Sequence, residues 1–88
     1  MGESIEVSWT RRAQRDLRQL PPDVARRIVA AVERFSVTGQ GDVRKLEGSE
    51  DEFRLRVGDY RVRFTYELVS RMLVLRALHR RMVYRREL

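Results

Sequence analysis

The 88-residue sequence contains no cysteine, a single histidine and no long apolar run. The absence of cysteine excludes disulfides, thiolate metal sites and cysteine nucleophiles, and it is compatible with a reducing compartment. No stretch approaches the roughly 20 apolar residues that a membrane-spanning helix needs. No His, Asp and Glu residues recur at metal-ligand spacing, so neither a metal nor another cofactor is expected. We therefore expect a cytoplasmic protein, with no membrane partner, that forms one small domain over residues 1–88.

Lysine is also nearly absent, since Lys45 is the only one and the other 18 basic residues are arginines. Residues 1–52 hold nine basic and ten acidic side chains, whereas residues 53–88 hold ten basic and three acidic ones. The net charge of +6 therefore arises entirely after residue 52. Because the arginine guanidinium offers a flat, forked set of donors that fits phosphate, this clustering favours a nucleic acid as the partner.

Two runs of alternating apolar and basic residues, 53–57 and 60–64, flank the dipeptide Gly58-Asp59. Such alternation is typical of strands, and two runs joined by two turn residues predict a β-hairpin. A glycine at the first turn position fits a type II′ turn, and type I′ is also possible. In the predicted register one face is apolar, and the other carries two arginine pairs: Arg56 with Arg61, and Arg54 with Arg63. Because like charges placed opposite each other destabilise a sheet, we expect this face to bind a polyanion.

Helical spacing of apolar residues predicts two helices before the hairpin. Thr10 is the expected N-cap of the first, whose arginines and Asp16 are expected to face solvent. The second helix is expected to begin at Pro22 or Asp23 and to end near residue 38, with Gly39 as its terminator.

Residues 3–8 are predicted to form a first strand, residues 39–52 a polar connection, and residues 72–78 a further strand after the hairpin. The tail that begins at His79 is expected to form a helical turn against the sheet. The predicted fold is therefore α+β with the order β-α-α-β-β-β. Two N-terminal helices are expected to cover one face of a mainly antiparallel sheet and to leave the basic face open.

The chain resembles the RelE/ParE superfamily, which are toxins of type II toxin–antitoxin modules. The similarity is carried by the element order and by three stretches: Lys45-Leu46-Glu47-Gly48, the hairpin of residues 53–64, and Leu78-His-Arg-Arg-Met-Val-Tyr84. It implies a RelE-like fold similar to that of microbial ribonucleases, and a RelB-like antitoxin as partner. Since RelE-like members cut mRNA in the ribosomal A site, it also implies an endoribonuclease, an mRNA interferase, that inhibits translation on the ribosome.

The same resemblance implies which residues carry the reaction. The implied catalytic residues are Arg54, Arg56, Arg61, Arg80 and Tyr84. Independently of the resemblance, His79 is a candidate acid or base, because histidine is the side chain that titrates nearest to neutral pH. The resemblance also implies that Lys45 binds RNA, and it implies no metal ligand. Arg63 matches no catalytic position of the family and is expected, with Arg81, to be an auxiliary RNA-binding residue of the basic region. The chain departs from the best-known members in having arginine where they have lysine at the first two positions. Because arginine does not release its proton at useful pH, neither Arg54 nor Arg56 can be the general base. The base is expected to be Tyr84, because it matches the tyrosine position of the family, and nearby arginines would favour its phenolate.

Other interpretations stay open at this point. ParE-like members of the superfamily poison DNA gyrase and lack the nuclease residues, so a gyrase inhibitor is one alternative. A non-catalytic RNA-binding module is another. The arginine face could also be a solvated surface that is neutralised locally by the acidic run of residues 50–52. His79 could serve in a structural or capping role, and Tyr60 and Tyr66 are expected to pack on the sheet.

Overall fold

The computed structural model describes residues 5–68 and 70–84, and of residues 83 and 84 it describes the backbone. The elements are β1 Glu6–Trp9, α1 Arg11–Arg18, α2 Pro22–Thr38, β2 Asp42–Lys45, β3 Glu52–Val57, β4 Tyr60–Leu68, β5 Arg71–His79 and α3 Arg80–Tyr84. The strands form one sheet in the order β1-β5-β4-β3-β2, in which only the β1–β5 pair is parallel. The predicted α+β fold with a mainly antiparallel sheet is confirmed.

The hydrophobic core lies between one face of this sheet and the helices α1 and α2. Ile28 and Val32 of α2 are fully buried against Val62 and Phe64 of β4. The ring of Phe64 lies 5.6 Å from that of Phe35, the last aromatic residue of α2. The apolar stripe predicted for the second helix and the apolar face predicted for the hairpin thus pack on each other.

The hairpin of β3 and β4 has the predicted register, with Val57 opposite Tyr60 and Arg56 opposite Arg61. Gly58 has a φ of 59°, and within residues 5–68 and 70–84 only glycines have positive φ. Asp59, at the second turn position, therefore has negative φ, which corresponds to the type II′ turn. A residue with a Cβ would be strained at position 58, which explains the glycine.

Both helix boundaries that rest on capping chemistry are confirmed. The hydroxyl of Thr10 accepts the backbone N–H of Ala13 at 3.1 Å and so caps α1. At the other end of the helical region, Gly39 adopts a left-handed conformation with φ 76° and terminates α2.

Two strand predictions were wrong in their bounds. Residues 39–52 are not only a connection, because residues 42–45 form β2 and pair with β3. This edge strand is short and mostly polar, with Val43 as its single apolar residue, so alternation could not reveal it. The first strand lies at residues 6–9 rather than 3–8, because its parallel pairing with β5 extends to Trp9; residues 3 and 4 lie outside the described part of the chain.

Within the described ranges, none of the three helices combines the length and apolar character that crossing a membrane requires.

Candidate nucleic-acid interface

The sheet face opposite the helices carries two rows of aligned side chains. Because cross-strand partners project from the same face, the register between β2 and β5 defines each row. One row is Arg44, Arg54, Arg63 and Arg76, and the row nearer the β3–β4 turn is Asp42, Arg56, Arg61 and Leu78. We call these residues together the arginine face. Like charges on adjacent strands of such a row lie only about 5 Å apart at their Cβ atoms.

Carboxylates neutralise some of these arginines. Glu52 accepts two hydrogen bonds from Nη2 of Arg63, at 2.9 and 3.0 Å. Asp42 lies 4.0 Å from Arg56, but both side chains are about half exposed, so this ion pair is weak. The acidic run therefore neutralises Arg63 through Glu52, whereas Arg56 is only slightly neutralised, by Asp42 of β2.

Three arginines of this face have no carboxylate within 4 Å among the described residues: Arg44, Arg54 and Arg61. Arg44 and Arg54 can be solvated, since Arg44 is exposed and Arg54 half-buried. Arg61 differs, because only 5% of it is exposed. Its Nη1 donates to the carbonyl oxygens of Gly58 at 2.9 Å and of Tyr60 at 3.1 Å.

The buried guanidinium of Arg61 is thus held by backbone carbonyls of the β3–β4 turn, and no carboxylate of residues 5–68 and 70–84 serves as its counter-ion. Its Nε is buried and has no hydrogen-bond partner in the described part of the chain. Burying a charge is costly unless it is paired with an opposite charge. The sequence predicted Arg61 on an uncovered surface, whereas its side chain lies within the structure beside the turn.

The first residue of α3 is anchored at the same turn. The backbone N–H of Arg80 donates to the carbonyl of Asp59 at 2.8 Å, and the side chain of Arg80 is exposed. Arg56, Arg61 and Arg80 therefore belong to the same end of the sheet, beside the β3–β4 turn. Tyr84 is the last residue of α3, and its side chain lies outside the described part of the structure.

His79 lies on the other face of the sheet. It is the cross-strand partner of Tyr60, and the two rings meet edge to face with centroids 5.3 Å apart. Its Nδ1 accepts the backbone N–H of Arg81 at 3.2 Å, which caps the start of α3. The structure therefore gives His79 the capping role and does not bring it to the arginine face. Arg81 is exposed on α3.

Arg44, and not the predicted Lys45, is the basic residue of β2 that lies on the arginine face. Lys45 pairs with Phe53, so its side chain leaves the sheet on the helix-covered face, although it is exposed at the sheet edge. Arg44 pairs with Arg54 and lies on the arginine face. The sequence did not predict Arg44 in this position, because it did not predict β2. The only signal was that Arg44 follows the apolar Val43, since neighbouring residues of a strand lie on opposite faces.

Asp16 was also misjudged, since only 9% of it is exposed and it does not belong to a solvent face. Its carboxylate accepts hydrogen bonds from Arg76 at 2.8 and 3.1 Å and from the backbone N–H of Ala77 at 2.9 Å. The pairing of β1 with β5 ends at Trp9 and Val74, so β5 is an edge strand at Ala77. Asp16 therefore accepts a backbone N–H that would otherwise lack a partner within the sheet. The helix α1 is thereby fixed to β5.

Tyr66 packs on the sheet as predicted, with its ring 5.6 Å from those of Phe53 and Phe64. Desolvation by burial raises the pKa of the Tyr66 phenol above its usual value, so this tyrosine stays neutral at physiological pH. Within the described residues no three His, Asp or Glu side chains are grouped so that they could hold a metal ion.

Comparison with known proteins places this architecture among small bacterial and archaeal toxins. The family described as the ParE toxin of type II toxin–antitoxin systems (parDE) matches residues 7–84. A curated protein of Methanocaldococcus jannaschii, named as a candidate toxin RelE1, is 27% identical over 81 residues, which cover 88% of this chain and 90% of that protein.

Solved toxin–antitoxin complexes contain chains with a similar fold. The toxin–antitoxin complex RelBE2 of Mycobacterium tuberculosis contains a chain that superposes with a TM-score of 0.76 at 25% identity, covering 86% of this chain and 91% of that one. A chain of the RelE–RelB complex of Pyrococcus horikoshii gives a TM-score of 0.72 at 26% identity, with 89% and 97% covered. The fold and its basic face thus define a toxin of a type II toxin–antitoxin system. The chain belongs to the ParE toxin family, within the RelE/ParE superfamily.

Proposed function

We propose that this toxin is a RelE-like endoribonuclease that cleaves mRNA on the ribosome and so stops translation in the cytoplasm. The observation that carries the proposal is Arg61, a cation that is buried beside the β3–β4 turn without a carboxylate among the described residues. For stability alone, an apolar side chain or an arginine paired with a carboxylate would be more favourable at this position. A phosphodiester at this end of the sheet supplies the missing negative charge.

The proposed reaction uses the 2′-hydroxyl of RNA as nucleophile. Its oxygen attacks the adjacent phosphorus while the bond from phosphorus to the 5′-oxygen breaks. A base takes the proton of the 2′-hydroxyl, and an acid protonates the leaving 5′-oxygen. The products are a 2′,3′-cyclic phosphate and a 5′-hydroxyl, and the step needs no oxidant or co-substrate.

Five residues of β3, β4 and α3 have a proposed part in this reaction. Arg61 and Arg80 stabilise the charge that builds on the phosphate. Arg61 is the preorganised donor of the two, because it is buried and fixed by the turn carbonyls, whereas Arg80 acts from the exposed start of α3. Arg54 and Arg56 position the backbone of the RNA. Tyr84 is the proposed base, since arginine stays protonated. His79 is not assigned a step, because it lies on the opposite face.

Cleavage of mRNA on purified, programmed ribosomes tests the proposal. A properly placed acid or base contributes roughly 10²–10⁴-fold in rate, so Tyr84→Phe should slow cleavage by about that factor. Arg80→Ala should also be strongly impaired. The exposed Arg34 on α2 offers a matched control, and Arg34→Ala should cut like the wild type. Equal rates for all four proteins would refute the assignment.

A RelB-like antitoxin is the proposed partner. The supporting observation is that the similar structures are complexes of RelE with RelB. An acidic or amphipathic segment of the antitoxin would neutralise the toxin by covering the arginine face. Arg44→Glu combined with Arg54→Glu should then weaken the complex, whereas the same reversal at Arg26 and Arg27 on α2 should leave it intact.

A second candidate function is inhibition of DNA gyrase, because the matching family is the ParE toxin. The two functions are separable in a supercoiling assay with purified gyrase and a ribosomal cleavage assay with the same preparation. Gyrase inhibition without loss of mRNA would select the second candidate.

A further inference from the structure

The exposed side of α1 is a second basic surface, which the proposed reaction does not use. It consists of Arg11, Arg12, Gln14, Arg15 and Arg18, all exposed. The only acidic residue of the helix, Asp16, points inward to Arg76. None of these four arginines has a carboxylate within 4 Å in residues 5–68 and 70–84.

The helix dipole favours Arg15 and Arg18, which lie in the last turn of α1, but the rest of this arrangement is unfavourable for an isolated helix. Arg11 and Arg15 are like charges four residues apart, and each such pair destabilises a helix by a few tenths of a kcal/mol. Arg11 and Arg12 also lie in the first turn, where the helix dipole disfavours positive charge. A ligand of opposite charge would offset both effects.

The α1 surface is continuous with the arginine face. A cleft of about 420 Å³ is lined by the five exposed residues of α1. An adjacent cleft of about 340 Å³ is lined by Thr10, Arg12, Arg63, Leu75 and Arg76. Arg12 lines both clefts, and Arg63 and Arg76 belong to the arginine face. A polyanion on the sheet can therefore continue over the edge of β5 onto α1.

The chemistry of the surface favours RNA over a protein. Stable protein interfaces are anchored by buried aromatic or aliphatic side chains, and the exposed side of α1 has none. Nucleic-acid interfaces are polar and strongly positive, as this one is. From Arg11 to Arg18 the track extends by about 10 Å along the helix axis, at 1.5 Å per residue.

We propose that the arginines of α1 form a track for the RNA backbone that extends the bound strand beyond the cleavage site. This inference rests on the proposed function, in that it takes RNA to be the ligand of the arginine face. The track adds affinity without base specificity, because contacts to phosphate carry no sequence information.

Salt-dependent binding tests the track without requiring cleavage. The probe is a fluorescent single-stranded RNA with 2′-O-methyl groups, which cannot supply the nucleophile, and anisotropy gives its affinity across a salt series. Each phosphate contact contributes about 0.7 to the slope of log affinity against log salt for single strands. Combining Arg12→Gln, Arg15→Gln and Arg18→Gln should therefore lower that slope by about 2.

The matched control removes three charges from the exposed side of α2. Combining Arg26→Gln, Arg27→Gln and Arg34→Gln should leave the slope at its wild-type value, because α2 lies away from both clefts. Thermal unfolding of both triple variants verifies that they fold, since surface substitutions usually change stability by less than about 0.5 kcal/mol.

Three results would overturn the track: no binding of the probe by the wild-type protein, equal slopes for the two triple variants, or loss of antitoxin binding with unchanged RNA binding. The last would identify a protein-docking surface. The proposed nuclease fails separately. Binding through α1 without cleavage of ribosomal mRNA would refute the nuclease alone, and normal cleavage with an unchanged slope would refute the track alone.

Discussion

Replacing Arg61 with methionine should make the protein more stable and less active. A buried ion retains a desolvation cost of several kcal/mol, and among the described residues Arg61 has no carboxylate to offset it. Its two hydrogen bonds to the carbonyls of Gly58 and Tyr60 contribute roughly 1.5–3 kcal/mol each, as bonds from a charged donor do. Those carbonyls lie at a turn, where water can replace the guanidinium.

Methionine is an unbranched apolar chain that can fill much of the same space. Replacing buried ion pairs by apolar side chains is neutral or stabilising by about 1–4 kcal/mol, and the same desolvation cost is removed here. We expect a gain of about 1–2 kcal/mol, which corresponds to a rise in Tm of roughly 4–16 °C for a domain of this size. Loss of the charge should reduce cleavage about 10²–10³-fold, the effect of removing one preorganised donor.

Urea denaturation and ribosomal cleavage, measured on the same preparations, test this prediction. Arg56→Met is the control, because Arg56 is exposed and its loss should change stability by no more than about 0.5 kcal/mol. A destabilisation of Arg61→Met by more than about 1 kcal/mol would refute the reasoning. Arg61 would then be a structural residue that stabilises the turn.

Three further predictions concern the contacts around the arginine face. Asp16→Asn should destabilise the fold by about 2–3 kcal/mol in urea denaturation, because the buried carboxylate binds both Arg76 and a β5 amide. Glu52→Gln should release Arg63 for a phosphate and raise the salt slope of RNA binding by about 0.7 in anisotropy. Thr10→Ala should lower the free energy of unfolding by about 1–2 kcal/mol, because it removes the helix cap and the hydrogen bond that the same hydroxyl donates to the carbonyl of Leu75.

Each of these predictions has a matched control. Asp23→Asn, at an exposed position of α2, should be nearly neutral, and equal effects at the two aspartates would contradict the role of Asp16. Glu33→Gln should not change the salt slope, since Glu33 lies on α2; a slope raised equally by both variants would indicate a general charge effect. Thr10→Ser keeps the hydroxyl and should restore most of the stability. If it does not, the cap is not the cause.

The hairpin was predictable in full because its information is local. Alternation determines the two faces, and a two-residue turn with Gly58 determines the register, so Arg54, Arg56 and Arg63 could be placed from the sequence alone. The caps at Thr10 and Gly39 are local for the same reason.

The parts that depend on distant strands were not predictable. The order β1-β5-β4-β3-β2 places the first and last strands side by side, and no local pattern specifies that parallel pairing. The edge strand β2 carries only one apolar residue, so Arg44 was missed. Asp16 satisfies an amide 61 positions away in the sequence, and its position three residues after Ala13, on the buried stripe of α1, was the only sign of it.

Exposure of a charged residue was the least predictable property. Alternation assigns Arg61 to the arginine face correctly, but it does not show that the side chain folds back onto its own turn and is buried. His79 was ambiguous for a related reason, because a residue at the junction of β5 and α3 can follow either element. The hydrogen bond that its Nδ1 accepts from the amide of Arg81 shows that His79 caps the start of α3.

Mapping of transcript 5′ ends after induction of the toxin tests the central claim most directly. In cells that translate, we expect new 5′-hydroxyl ends within coding regions, and these ends should vanish when translation is blocked before induction. They should also be absent after induction of Arg80→Ala. Intact transcripts in translating cells whose growth the toxin has stopped would contradict the claim that this arginine face cuts ribosome-bound mRNA.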